Sequence, residues 1–318
     1  MANTTLRRFG HVLLLVGPLA AACAPAERRP LSERTVRITA TTSIVADLAR
    51  EVGGSRVEVT GLMGPGIDPH LYKASEGDVR RLADADLIAY NGLHLEAKMA
   101  DVLAQLGGRT KTVAVADGVP RERLLAPPEF AGAYDPHVWH DPLLWRHAAE
   151  RLRDALAQLD TAHGATYREN TVAVLARLDS LDRWVRERVS TVPPDVRVLV
   201  TAHDAFNYFG RAYGIQVRGL QGISTASEAG TADVRGLAEF IAQRRIPAVF
   251  VESSIPRRTI EAVQSAVQAR GQQVEIGGQL FSDALGDAGS PSGTYEGMIR
   301  SNVETIVTAL AGRPGSSP

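Results

Sequence analysis

Between residues 164 and 194 the chain reads GATYRENTVAVLARLDSLDRWVRERVSTVPP. Val172, Val174, Leu175, Leu178, Leu181, Trp184, Val185 and Val189 recur at helical spacing, and no glycine or proline interrupts them between Gly164 and Pro193-Pro194. Apolar residues at steps of three and four share one face of a helix, and proline marks where the helix must stop. A helix of about 28 residues would be about 42 Å long at 1.5 Å rise per residue. That is long for a helix inside one globular domain. It suits an element that runs down the side of two lobes and joins them rigidly. The competing reading is two shorter helices packed within one lobe.

On both sides of this stretch, short apolar runs alternate with helical patterns. Ahead of it, strand candidates lie at 36–40, 56–62, 87–90 and 112–115, and helical patterns at 44–52, 75–83, 93–106 and 143–159. Ser43 reads as the N-cap of the first helix and Gly53-Gly54 as its end. Behind it, strand candidates lie at 196–200, 215–220, 248–251 and 273–276, and helices at 205–213, 231–244, 256–269 and 295–311. Pro256 reads as a first-turn proline. Strands alternating with helices predict parallel sheets flanked by helices. The chain is therefore read as α/β: two Rossmann-like α/β lobes, 35–160 and 195–311, joined by one long rigid helix at 164–192.

The 318 residues are 44% hydrophobic and 22% charged, with a formal net charge of −1. This is globular composition with length for about two domains. A charge near zero without a basic stripe argues against a nucleic-acid partner. Arg7 and Arg8 precede a short apolar segment that Gly17 and Pro18 interrupt. It is too short to span a bilayer as a mature helix and has the layout of a signal peptide over 1–23. The segment ends in Leu19-Ala20-Ala21-Ala22-Cys23, and Cys23 is the only cysteine, so no internal disulfide forms. Its position resembles a bacterial lipobox, which would make Cys23 the lipid-bearing residue of a membrane anchor. The alternative is ordinary signal-peptide cleavage with Cys23 incidental. Residues 24–34 read as a polar tether and 312–318 as a disordered tail, and the folded part is expected outside the cytoplasm.

Four short stretches offer metal ligands. Asp68-Pro69-His70-Leu71-Tyr72 and Asp135-Pro136-His137-Val138-Trp139 repeat one pattern, Asp-Pro-His-apolar-aromatic, 67 positions apart. Thr201-Ala202-His203-Asp204 follows one strand candidate. Phe281-Ser282-Asp283 follows another after Gly277-Gly278. Ligands of open α/β sheets bind beyond the carboxyl ends of the strands, so His70, His137, His203 and Asp283 are expected to converge between the lobes. Three imidazoles and one carboxylate suit zinc, iron, copper or nickel, and the carboxylate extends the range towards manganese. Asp68 and Asp135 are expected to orient their histidines by hydrogen bonds. His140 is the rival ligand to His137. Glu252, at the end of a buried strand, is a candidate partner in the cleft.

Each residue has an ordinary alternative. Asp-Pro starts many turns, His203 could be a hydrogen-bonded core histidine, and Asp283 could cap a helix before Ala284-Leu285. His94 reads as a helix cap or surface group, and His147 and His163 as solvated.

The segments 61–72, 135–139, 201–206, 219–228 and 281–287 together resemble the metal-binding solute-binding proteins of ABC importers, the cluster A-I receptors, and within them the TroA-like zinc/manganese type. The resemblance covers about 36–311. It implies two α/β lobes on one rigid helix, with a single Zn or Mn ion held by His70, His137, His203 and Asp283. His203 matches the TroA-like branch, where related manganese receptors carry Glu. Residues 117–134 contain no histidine, unlike the His-rich loop of dedicated zinc receptors. The implied function is a non-enzymatic receptor, acting as a monomer, that captures a divalent metal (Mn or Zn, with Fe a further option). It would deliver the ion to an ABC permease with a cytoplasmic ATPase, from the periplasm or the cell surface. The alternatives from other classes are a zinc-dependent metallohydrolase and an adhesin whose metal is structural.

Overall fold

The computed structural model describes residues 1–2, 29–130 and 132–311. The signal peptide from residue 3 on with Cys23, the first part of the tether and the tail at 312–318 lie outside the described residues. No helix among the described residues is long and apolar enough to cross a membrane.

The first lobe carries strands β1 (Val36–Ala40), β2 (Val57–Gly61), β3 (Leu87–Tyr90) and β4 (Lys111–Ala114). All pair in parallel, in the order β2-β1-β3-β4. Helices α1 (Ser43–Gly53), α2 (Glu76–Asp84) and α3 (Ala100–Gly107) connect them, and α4 (Pro142–Leu159) follows. Ser75 and Asp78 form a reciprocal capping box at the start of α2. Asp141 caps α4 ahead of Pro142 at its first turn.

The 27-residue helix α5 (Gly164–Ser190) is continuous, about 40 Å at 1.5 Å per residue. It buries Tyr167, Thr171, Val174, Leu178, Leu181, Val185 and Val189, a stripe at steps of three and four. The stripe packs on α1 and α4 of the first lobe and on the helices Asn207–Tyr213 and Tyr295–Ala311 of the second. The reading of two shorter helices is overturned. Val172 falls off the stripe and is 69% exposed.

The second lobe carries β5 (Val198–His203), α6 (Asn207–Tyr213), β6 (Gln216–Gln221), α7 (Thr231–Arg244), β7 (Ala248–Glu252), α8 (Arg258–Gln268), β8 (Glu275–Leu280) and α9 (Tyr295–Ala311). Strand β5 pairs in parallel with β6, and β7 with β8; β5 lies alongside β7. The largest apolar cluster is shared by both lobes. It runs from Ile38 and Leu87 through Trp145, Leu178 and Val185 to Phe209, Met298 and Ile306. Two smaller clusters lie on the outer faces of the sheets.

Several local expectations differ from the structure. The cap of α1 is Thr42, whose hydroxyl accepts from Val45 N at 3.2 Å, and Ser43 is the first helical residue. The helix expected at 93–106 begins only at Ala100, after a 3₁₀ turn at Ala97–Met99. The cause is Glu96. Its buried carboxylate takes Thr41 Oγ1 at 2.7 Å, Asn91 N at 2.7 Å and Gly92 N at 3.1 Å. The chain wraps around it with Leu93 and His94 at positive φ, 51° and 65°. His94 is therefore exposed on a turn and caps no helix. Pro256 precedes the N-cap Arg257 of α8 instead of occupying its first turn.

Candidate metal centre

The two Asp-Pro-His segments fold into the same turn. Asp68 Oδ1 accepts His70 N at 2.9 Å, and Asp135 Oδ1 accepts His137 N at 3.0 Å. A carboxylate that takes the N–H two residues on is a turn device of Asp, and proline between them restricts the backbone. The copies then diverge. Asp135 Oδ1 also accepts from the His137 ring at Nδ1, 2.7 Å away, which leaves Nε2 facing the cleft. Asp68 instead turns its second oxygen to the Thr225 hydroxyl of the other lobe, at 2.7 Å. It holds His70 through the backbone and ties that turn to the opposite lobe.

His203 is the last residue of β5, where every side chain is buried. Glu252 ends the neighbouring β7. Its Oε1 accepts His203 N at 2.9 Å, and its Oε2 stands 2.6 Å from His203 Nδ1, an ion-pair separation without hydrogen-bond alignment. His203 Nε2 thereby faces the cleft. Gly219 on β6 lets the backbone approach closely here: a Cβ at that position would lie 2.5 Å from Asp204 N.

Asp283 arrives three residues after β8. Gly277 and Gly278 lie inside that strand, not beyond it, with Gly278 at φ 141° and a register shift opposite Val249 and Phe250. The loop that follows is held on several sides. Asn302 on α9 accepts Phe281 N and donates to Phe281 O, both at 2.8 Å. Ser254 Oγ donates to Asp283 Oδ2 at 3.2 Å.

Four donor atoms meet in this cleft. One ligand atom each from His70, His137, His203 and Asp283 lies within 4.8 Å of all the others. His70 Nε2 and His137 Nε2 are 3.3 Å apart. His137 Nε2 is 3.4 Å from Asp283 Oδ1, and His203 Nε2 is 3.3 Å from Asp283 Oδ2. Atoms at about 2.0–2.1 Å from a common centre, the zinc–nitrogen and zinc–oxygen bond length, stand about 3.3–3.4 Å apart in a tetrahedron. The edge between His70 and His137 and the edge from His137 to Asp283 Oδ1 therefore already have the length a four-coordinate ion requires, while His203 faces the other carboxylate oxygen, Oδ2. All four residues are buried, none above 3% exposed. His203 Nε2 and Asp283 Oδ1 have no hydrogen-bond partner. Buried polar atoms without partners are costly, and a cation at the centre of the set would satisfy them.

The protonation pattern follows from the same geometry. Burial pushes His70 down to about 3, with Asp283 offsetting only part of it. Burial also opposes charge on His137, but Asp135 at its Nδ1 together with Asp283 outweighs it and raises the pKa. His203 is raised well above the usual histidine value, because Glu252 and Asp283 outweigh its burial. Burial favours neutral Asp283, yet His203 and His137 hold its carboxyl well below the usual range. The surroundings thus favour the charged forms of Asp283, His137 and His203 and the neutral form of His70.

His140 is fully buried but lies outside the donor set. Its Nε2 donates to Ser282 O at 3.0 Å, and its ring stacks on Phe206, 4.3 Å between centroids. His147 and His163 pair with Glu150 and Asp160, away from the cleft. Trp139, the aromatic of the second motif, packs edge-on against His137, and Thr225 and Ser254, which also contact the site, were not named as site residues in the sequence. Thr225 and Ser254 are small hydroxyl residues on loops, with no spacing signal to betray them.

The family described as ZnuA, the periplasmic component A of a zinc-uptake complex, matches residues 38–309. The zinc-binding protein TroA of Treponema pallidum is 49% identical over 288 residues, which is 91% of this chain and 91% of that protein. The manganese-binding lipoprotein MntA of Bacillus subtilis is 46% identical over 279 residues, 88% of this chain and 91% of that protein. The solved structure of the periplasmic zinc-binding TroA superposes with a TM-score of 0.85, covering 87% of this chain and all of that one.

Proposed function

The chain belongs to the ZnuA family of periplasmic zinc-uptake components, and from that premise we propose that it captures one divalent transition metal ion, zinc or manganese, outside the cytoplasmic membrane. It hands the ion to a membrane permease driven by a cytoplasmic ATPase. The observation that carries this reading is the converging set of His70, His137, His203 and Asp283, whose ligand atoms all lie within 4.8 Å of one another. Two donors come from the first lobe and two from the second, so the ion bridges the lobes and its departure loosens them. The continuous α5 limits hinge bending, and release proceeds through small lobe shifts and loop movement. Residues 35–160 and 195–311 serve as the two lobes, and 164–192 as the link.

The donor chemistry supports zinc as the tightest ion in isolation, because nitrogen-rich sites follow the Irving–Williams order, in which zinc exceeds manganese. The relatives named for zinc and for manganese are nearly equally similar, at 49% and 46% identity. The cargo in the cell therefore depends on which metal is available. The protein works as a receptor and not as an enzyme: catalytic zinc keeps three protein ligands and an open position for water, and here four buried protein donors surround the centre. Cys23 anchors the mature chain to a membrane through lipid, in keeping with relatives named as lipoproteins.

The test is a metal titration of the purified protein with competing chelators, beside His203→Ala and Asp283→Ala. We expect one ion per chain in the wild type and a loss of at least about 100-fold in each variant, the upper range for altering a metal site even through its hydrogen-bond partners. Unchanged affinity in His203→Ala would overturn the ligand assignment.

A further inference from the structure

Strand β3 ends on Tyr90, and the chain leaves it in a strained arc. Gly92, Leu93 and His94 all have positive φ, 88°, 51° and 65°, a region unfavourable to residues other than glycine. The arc closes on Glu96. Its Oε1 takes Asn91 N and Thr41 Oγ1, both at 2.7 Å, and its Oε2 takes Gly92 N at 3.1 Å. Successive backbone N–H groups aimed at one anion form a nest, and here the anion is the chain's own side chain. The residue this nest fixes in place is Asn91.

Asn91 is buried, 0% exposed. Its Nδ2 donates to Gly92 O and to Pro136 O, each at 3.1 Å. The amide orientation is assigned from this network, since Oδ1 in the same place would face two carbonyl oxygens. Pro136 O belongs to the peptide that enters His137. The turn is also held at Asp135: Asn207 Nδ2 donates to its Oδ2 at 3.2 Å and the Tyr208 hydroxyl to its O at 2.8 Å, both from the second lobe. Asn91 ties the same turn to the end of a first-lobe strand.

For stability alone this amide is dispensable. Pro136 O also accepts Val138 N at 2.9 Å, and Gly92 O also accepts Leu95 N at 3.1 Å. Neither carbonyl needs Asn91. Its own Oδ1, meanwhile, is buried without a partner, a standing cost that an apolar side chain of similar shape would avoid. What the amide adds is the place of the Pro136–His137 peptide.

We propose that Asn91, clamped by Glu96, is a positioning residue that fixes His137 within the donor set. The inference rests on the metal-capture reading above. Asp135 lies in the same turn and orients the imidazole only relative to that turn. Asn91 fixes the turn relative to the sheet. His137 Nε2 stands 3.3 Å from His70 Nε2 and 3.4 Å from Asp283 Oδ1, so a shift of the turn alters two edges of the site together.

The experiment titrates the full chain with Zn²⁺ against a competing chelator, beside Asn91→Leu, and repeats that substitution in His137→Ala and His70→Ala backgrounds. Asn91→Leu should weaken Zn²⁺ by about 5–10-fold, the effect of one buried hydrogen bond. The metal-free variant should keep its Tm within about 3 °C. In His137→Ala the substitution should change affinity by less than about twofold, and in His70→Ala it should again weaken binding by about 5–10-fold, because only His137 is coupled to Asn91. The visible bands of the Co²⁺ form should be displaced in Asn91→Leu. Glu96→Gln turns an N–H towards Gly92 N; it should weaken Zn²⁺ alone and add less than about twofold on top of Asn91→Leu. Asn91→Ala carries the test if the leucine variant does not fold. Unchanged Zn²⁺ affinity, equal losses in the two ligand-deleted backgrounds, or unmoved Co²⁺ bands would overturn the proposal. A wild type that binds neither ion would overturn the capture reading as well, so the two failures are told apart.

Discussion

Replacing Glu252 with glutamine removes one charge from a position 4% exposed and alters one hydrogen bond and one ion-pair contact with His203. In the native chain Oε1 accepts His203 N at 2.9 Å and Oε2 stands 2.6 Å from Nδ1. Glutamine has one acceptor oxygen and one amide that only donates. It can serve the backbone N–H or the ring, but not both. Carboxylate partners of this kind contribute about 10–100-fold in metal affinity, or about 1.4–2.7 kcal/mol. The variant also changes the proton competition. Glu252 raises the His203 pKa well above its ordinary value, so in the wild type a metal must displace a proton, and affinity climbs with pH through that raised value. With glutamine the climb ends at lower pH. The deficit of Glu252→Gln should therefore be greatest in alkaline buffer and shrink towards about pH 6, where the wild type suffers most from protonation. Isothermal titration with Zn²⁺ across that range measures it. An affinity equal to the wild type, or a deficit constant across pH, would refute the reasoning.

Other outcomes follow from the same contacts. His137 and His203 have raised pKa values, so their contribution to stability is full below the unfolded value of about 6.5 and is lost as pH rises through the folded values. The Tm of the metal-free protein should fall as pH rises above the unfolded histidine value of about 6.5, and saturating Zn²⁺ should abolish that fall in calorimetry. Thr225→Val removes the hydroxyl bonded to Asp68 across the cleft; stopped-flow chelation should show release faster by about fivefold, one hydrogen bond's worth. Gly219→Ala places a Cβ 2.5 Å from His203 C and Asp204 N. The overpacking should cost about 1–3 kcal/mol in denaturant unfolding, and zinc affinity should drop with it.

The parts of this molecule that were legible in the sequence are those where one physical cause dominates. The stripe of α5 could be read because burial repeats every three or four residues over 27 positions. Val172 was misplaced on it because apolar spacing alone cannot see which side a helix presents. The shared turn that carries His70 and His137 was legible because the Asp-Pro-His pattern is repeated. The difference between Asp68 and Asp135 was not, since Thr225 is 157 residues from Asp68 and meets it only through the fold. The same holds for Glu96, whose long-range bond to Thr41 delays α3 and overrides helical spacing at 93–99. Gly277 and Gly278 looked like a strand end because glycine usually weakens strands. They are in the strand because Ala309 and Thr305 of α9 pack where their side chains would be.

The shared apolar cluster has a consequence for how the chain is made. Residues of α9, among them Met298, Val303 and Ile306, pack in the same cluster as Ile38 and Leu87 near the start. That helix is the last element in sequence order among the described residues. Until it docks, the face of α5 that it covers has no partner, whatever the first lobe has already built. Contacts so distant in sequence close late and slowly, and an unfinished chain exposes apolar surface while it waits. A nascent molecule lacking only its last 17-residue helix should thus behave as an aggregation-prone intermediate, and not as a receptor missing one trim piece.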